Sequence, residues 1–201
     1  MGIISRYTDD LCDWAVWRID EELIELVQEA RDLKYFLSTI DQFGSEMRQK
    51  QWLSVRLLTN RLSKHSAIQY TDSGKPTIHG RYISISHSNE LVSVMVSKNK
   101  EVGVDIQIKN DKILRISPKF LSETEKLLVK EDIDRITAVW CIKEALYKLY
   151  GDNSPHFKDD YEVVSLHNQH AIAKMRYKGE MREYSIGLRF ENNFVIAFVT
   201  D

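Results

Sequence analysis

Between Val102 and Ile108 the chain alternates strictly. Val102, Val104, Ile106 and Ile108 are apolar, and Gly103, Asp105 and Gln107 stand between them. A period of two predicts a strand with one apolar face, the other carrying Asp105 and Gln107 about 6.5–7 Å apart. From Asp134 to Tyr150 the period changes. Val139, Ile142, Leu146 and Leu149 recur on one stripe at a spacing of roughly 3.6 residues, which predicts a helix. Gly151 follows it as a natural C-cap. Glu144 and Lys148 project from the side opposite the stripe, off the core.

The same two periods run through the rest of the chain. Strands are predicted at Cys12–Ile19, Ile68–Tyr70, Tyr82–Ser86 and Leu91–Ser97, the last joined to Glu101–Ile108 through a tight hairpin at Ser97–Lys100. Asp20 reads as the N-cap of a helix over Glu21–Ala30, and a second helix spans Ser45–Leu62. Short helices follow at Lys112–Ile116 and Ser122–Lys130, where Ser122 and Glu125 satisfy the Ser-x-x-Glu capping box. Strands at Tyr161–Ser165, Ile172–Tyr177, Tyr184–Phe190 and Phe194–Val199 close the chain, with a final turn at Glu191-Asn-Asn193. The order of strand, helices and strands, then the same again, predicts two α+β halves, 1–98 and 99–201, meeting across a cleft. No strict internal sequence repeat accompanies it.

Composition narrows the class. The 201 residues are 43% hydrophobic and 29% charged, values of an ordinary soluble globular protein. No apolar run approaches the roughly 18 residues of a membrane span, and the N-terminus does not read as a signal peptide, so a cytoplasmic protein without membrane partners is expected. Cys12 and Cys141 offer neither a disulfide framework nor a four-ligand zinc set. Histidines 65, 79, 156, 167 and 170 are scattered without metal-ligand spacing. A net charge of −2 supplies no field for nucleic acid. Locally, however, Arg48, Lys50, Arg56, Arg61 and Lys64 fall on one helix against a single acid, either a solvated face or an anion site.

The chemistry-bearing residues cluster in two segments. A carboxylate on a strand (Asp105) and one on a helix (Glu144), brought together by the fold, suit a hard divalent cation. Lysines beside that cation suit a phosphorylated substrate. Each segment also has a plain structural reading. Glu144 and Lys148 have the favoured i,i+4 ion-pair order of any solvated helix, and a strand aspartate is often an edge or turn residue. His87, between serines at the end of a strand, is equally a structural hydrogen-bonding group.

Val102-Gly-Val-Asp105 followed by Trp140-Cys-Ile-Lys-Glu-Ala-Leu-Tyr-Lys148 resembles the paired signature of the 4′-phosphopantetheinyl transferase superfamily. Further matches keep the order: the Arg48–Arg56 basic helix, Gly74-Lys75-Pro76, Ser84-Ile-Ser-His-Ser88, and Ile116–Glu125 with Phe120-Leu121-Ser122. The resemblance covers roughly residues 12–200 and is to the long, surfactin-synthetase-activating type. That type is a pseudo-dimer in one chain, so a monomer with pseudo-two-fold symmetry and one intramolecular site is implied.

The resemblance also implies an activity. The phosphopantetheine arm of coenzyme A would pass to a serine of an apo acyl or peptidyl carrier protein, releasing 3′,5′-ADP. Mg²⁺, or Mn²⁺ in its place, would be held by Asp105 and Glu144, with Gln107 as a further ligand directly or through water. Glu144 would also serve as base, and Lys148 and Lys143 would stabilise phosphate charge. Arg48, Lys75, Ser86, His87 and Lys143 would contact coenzyme A. The carrier would dock near Arg115, Lys119, Phe120 and Leu121. Many relatives carry a third acid where this chain has Gln107, which makes the site less negative by one charge. The alternative of a non-catalytic coenzyme A or carrier-binding module would be marked by loss of Asp105, Glu144 or Lys148, and all three are present.

Overall fold

The alternating and helical patterns resolve into elements in a computed structural model, which describes residues 2–30, 37–64, 67–151 and 156–201. The chain divides into two units, Met1–Lys100 and Glu101–Asp201. None of the helices among the described residues is long and apolar enough to cross a membrane.

The first unit contains β1 (Ile3–Thr8), β2 (Cys12–Arg18), α1 (Leu23–Glu29), α2 (Leu37–Ile40), α3 (Glu46–Ser63), β3 (Gln69–Tyr70), β4 (Pro76–Thr77), β5 (Tyr82–Ser88) and β6 (Leu91–Ser97). Its main sheet is antiparallel in the order β1-β2-β6-β5. Helix α3 starts at Ser45, whose hydroxyl accepts the Arg48 N–H, and ends at Lys64 in a left-handed conformation. Its Leu53, Leu57, Leu58 and Leu62 pack with Trp17, Val92, Val94 and Val96 of the sheet. Two expectations shift here. Strand β1 is an addition: Ile3–Thr8 alternates half-buried and exposed positions, a weak pattern beside the stronger β2. Helix α1 is capped at Glu22 rather than Asp20, because Glu25 accepts the Glu22 N–H at 2.8 Å.

The second unit contains β7 (Val102–Ile108), α4 (Lys112–Ile116), a single 3₁₀ turn over Ser117–Lys119, α5 (Glu123–Val129), α6 (Ile133–Tyr150), β8 (Tyr161–Leu166), β9 (His170–Tyr177), β10 (Glu180–Phe190) and β11 (Phe194–Thr200). The five-stranded antiparallel sheet has the order β7-β11-β10-β9-β8, with Asp105 opposite Ala197. The Ser122–Glu125 capping box forms, and Gly151 closes α6 at φ 66°. Helix α6 begins before Asp134, because the Asp132 side chain caps the N–H groups of Asp134 and Arg135.

Helix α6 lies on the face of β7 that carries Gly103 and Asp105. A Cβ at Gly103 would collide with the Ala145 carbonyl oxygen and press on Val199. Val139, Ile142, Leu146 and Leu149 are fully buried, as are Ala138, Cys141 and Ala145. The helix is thus enclosed over more than one stripe, with small residues where it meets the strand.

Gly103→Ala should therefore force α6 off the sheet. We expect a loss of about 1–3 kcal/mol, the usual scale of overpacking, measured by urea unfolding. Gly44→Ala, where no atom lies near an added Cβ, is the control. Equal stability of the two variants would contradict the close approach.

Candidate functional site

Asp105 sits in the middle of β7, 5% exposed. The Lys148 ammonium donates to its Oδ1 at 2.7 Å. Glu144, one turn before Lys148 on α6, is half-buried. Its carboxyl is pushed up to about 7, first by burial and second by the charge of Asp105, with Lys148 acting against both. Lys148 is thus paired with Asp105, and a second negative charge on Glu144 is held in a place that disfavours it. A strand aspartate reaches a helical glutamate and lysine because Gly103, two residues away on the same face, lets α6 come close.

The neighbours of this group are quiet. The fully buried Cys141 thiol is pushed up by burial and then by Asp105, and it donates to the Val195 carbonyl at 3.6 Å. A thiol so raised stays protonated and is a poor nucleophile. The Gln107 amide donates to the Ile108 carbonyl at 3.1 Å. Asp105 and Glu144 offer only oxygen ligands, and their surplus charge calls for a cation, so the pair suits a hard ion such as Mg²⁺. That ion commonly takes one or two carboxylates and completes its shell with water and substrate phosphates. Among the described residues no group of three or more His, Cys, Asp or Glu side chains forms a metal cage.

Lys143, adjacent to Glu144 in sequence, is placed differently. Its side chain is fully buried, and its ammonium donates to Glu125 Oε2 (2.8 Å), the Phe120 carbonyl (2.7 Å) and the Phe157 carbonyl (2.8 Å). Burial pulls its pKa down, and Glu125 opposes that pull. The donors of Lys143, expected at coenzyme A, are all directed into the protein. Phe120 and Leu121 are likewise core residues, 1% and 2% exposed, with the Phe120 ring 5.1 Å from that of Trp140. They present no docking surface. The exposed apolar side chains of α4 and α5 are Leu114 and Leu127, and Arg115 and Lys119 are exposed as expected. Sequence periodicity gave no sign of the Phe120 and Leu121 placement, because that segment is too short to show a buried stripe, and a lysine on α6 carries no periodic signal of burial.

In the first unit, Arg48 Nη1 lies 2.8 Å from His87 Nε2 and donates to Gln51 Oε1 at 3.1 Å. An arginine can only donate, so this contact calls for an acceptor nitrogen on His87. Both side chains are exposed. The other basic residues of α3 are already engaged. Lys50 bridges Glu22 (3.2 Å) and Glu46 (3.0 Å), and Arg61 pairs with Glu29. Arg56 lies over the Trp52 ring at 3.2 Å, and burial pushes its pKa down to about 10. Ser86 alternates with His87 along β5 and is buried on the opposite face. Lys75 ends a turn that begins at Thr71 and passes through Gly74 at φ +81°. Of the remaining histidines, His167 and His170 stack at 4.7 Å, and His65 lies outside the described residues.

Residues 101–199 match the family described as the 4′-phosphopantetheinyl transferase superfamily, a stretch that holds Asp105, Glu144 and Lys148. The chain is also similar to the 4′-phosphopantetheinyl transferase AcpT of Salmonella typhimurium and to that of Salmonella typhi. Each is 28% identical over 138 residues, covering 63% of this chain and 69% of the relative. Both similarities are to phosphopantetheinyl transferases, and both are of part of the chain.

The raised Glu144 carboxyl makes stability depend on pH. Unfolded, a glutamate titrates near about 4.3. The folded state holds the proton up to about 7, so this contribution is fully present below the unfolded value and is lost as pH rises through the folded one. Without divalent ions, wild type should lose stability relative to Glu144→Gln between about pH 4 and pH 8. At about 1.4 kcal/mol per pKa unit the ceiling is about 4 kcal/mol, and partial exposure lowers it. Urea unfolding across that range checks the difference; a flat one would place Glu144 in solvent.

Proposed function

We propose that this protein transfers the 4′-phosphopantetheine arm of coenzyme A to a serine of an apo acyl or peptidyl carrier protein, with release of 3′,5′-ADP. The observation that carries the reading is the Asp105–Lys148–Glu144 group within the stretch that matches the superfamily. In the reaction the serine Oγ bonds to the phosphorus nearer the pantetheine. The P–O bond to the 3′,5′-ADP moiety breaks, and the serine proton passes to a base. Glu144 is suited to that role, because a carboxyl near 7 is poised to accept a proton at neutral pH.

Asp105 and Glu144 would hold Mg²⁺, or Mn²⁺ in its place, with Gln107 beside them. The ion, when bound, offsets pyrophosphate charge and stabilises the leaving phosphate. Lys148 adds positive charge to the same region. The two roles of Glu144 compete in part, since a metal ligand is a weaker base. Arg48 and His87 form an exposed pair of nitrogen groups fit for phosphate oxygens, and Lys75 and Ser86 are proposed to join them. Carrier docking is assigned to Arg115 and Lys119 with the exposed Leu114 and Leu127, a basic and apolar set that complements an acidic carrier helix. A monomer working in the cytoplasm completes the reading, resting on its resemblance to single-chain transferases.

Intact-mass analysis of a panel of apo carriers with coenzyme A and Mg²⁺ tests the activity. One carrier should gain one phosphopantetheine. No gain across the panel, with a known transferase active alongside, would refute the reading.

The two proposed surfaces separate kinetically. Arg48→Ala should raise KM for coenzyme A more than it lowers kcat, because it holds a part remote from the reacting phosphorus. Arg115→Glu with Lys119→Glu should raise KM for the carrier and leave coenzyme A affinity intact. The wild-type carrier KM should itself rise with salt. Normal carrier kinetics in the double variant at low salt would move docking elsewhere.

A further inference from the structure

Outside the group just described, Lys143 and Glu125 form a fully buried pair with a dense set of contacts. An ammonium has three protons, and Lys143 directs them to three acceptors on separate segments: the Phe120 carbonyl after the 3₁₀ turn, Glu125 on α5, and the Phe157 carbonyl before β8. Glu125 extends the connection. Its Oε2 also accepts the Ser122 N–H at 2.8 Å, and its Oε1 accepts the Val163 N–H of β8 at 2.8 Å. One side chain of α6 is thereby bonded to the segment before α5, to α5 and to the start of the edge strand. Around it the rings of Phe120, Trp140, Phe157 and Tyr161 pack at centroid distances of 5.1, 5.6 and 5.4 Å between successive members.

Stability alone does not account for such a pair. Buried ion pairs can often be replaced by apolar residues of similar volume without loss of stability. An apolar pair would lack direction, however. Three charge-assisted hydrogen bonds determine both the rotation of α6 about its axis and its position along it. Glu144 is the next residue on that helix, about 100° round the axis, and Lys148 is one turn beyond. A displacement of about 1 Å in a reacting group can cost about 10²-fold in rate.

We infer that Lys143 is a positioning residue: with Glu125 it holds α6 so that Glu144 and Lys148 stand correctly against Asp105, and it does not itself grip coenzyme A. The inference rests on the transferase reading and assigns to this lysine a role distinct from its expected contact with the substrate's phosphates.

The test compares wild type, Lys143→Met, and the double variant Lys143→Met with Glu125→Gln, which leaves no unpaired buried charge. Each is assayed at a temperature where circular dichroism shows it folded. Coenzyme A affinity is measured by calorimetry, and turnover with an apo carrier that wild type modifies. In the double variant we expect a coenzyme A Kd within about twofold of wild type and a kcat lower by about 10- to 10²-fold, the scale of a misplaced reacting group. A Kd that rises in step with the loss of turnover would show Lys143 binding coenzyme A and overturn the inference. So would an unchanged kcat. Failure of the double variant to fold at any temperature would make the pair a stability element and also overturn it. Absence of transfer by wild type refutes the activity and removes this inference with it, whereas wild-type transfer with a fully active double variant refutes the inference alone.

Discussion

The contact between Gly103 and the Ala145 carbonyl is the constraint from which the site follows. A side chain at position 103 would hold α6 away from β7. With glycine there, the helix comes down on the strand face that also carries Asp105, and Lys148 reaches its carboxylate at 2.7 Å. Closeness excludes water from the same place, which is why Glu144 is pushed up towards neutrality. A single small residue in a strand thus sets the distance between two elements and, through that distance, the proton affinity of a carboxyl on the helix. The β11 residues beneath α6 are adapted to the same contact, with Ala197 opposite Asp105 and the Val195 carbonyl accepting from Cys141.

Helix α6 carries two lysines in opposite electrostatic circumstances. Lys143 and Glu125 form a closed set, neutral as a pair, with every proton of the ammonium directed to an acceptor. Lys148 instead pairs with Asp105, and that pair leaves the charge of Glu144 unbalanced nearby. A buried set that is satisfied supports a fixed geometry, whereas one with surplus charge is ready for a cation. Their proximity on one helix gives each a use: the closed pair holds the frame in which the open group works. The first unit shows the same economy with its basic residues. Lys50 and Arg61 are matched by acids and Arg56 is laid over Trp52, while Arg48 and His87 face outward together.

Much of this is legible in the sequence. Period-two alternation located β7, and helical periodicity with a following glycine located α6. The capping box at Ser122 located α5, because those signals are local and depend on backbone hydrogen bonds within a few residues. The short polar strand β1 and the Glu22 cap were missed for the same reason in reverse: their patterns are weak until a neighbour supplies the partner.

The sequence by itself determined which residue types could do chemistry and which elements would carry them: Asp105 on a strand, Glu144 and Lys148 on one helix face, Arg48 and His87 in the other unit. Only the tertiary structure decided what each would meet. Lys143 and Lys148 are both lysines on one helix. One is fully buried against Glu125 and two carbonyls, and the other reaches Asp105. Phe120 and Leu121 lie in the core while Leu114 and Leu127 are exposed. The physical reason is range. Periodicity and capping act within a turn or two of chain, but burial, pairing and proton affinity depend on groups distant in sequence, which only packing brings together.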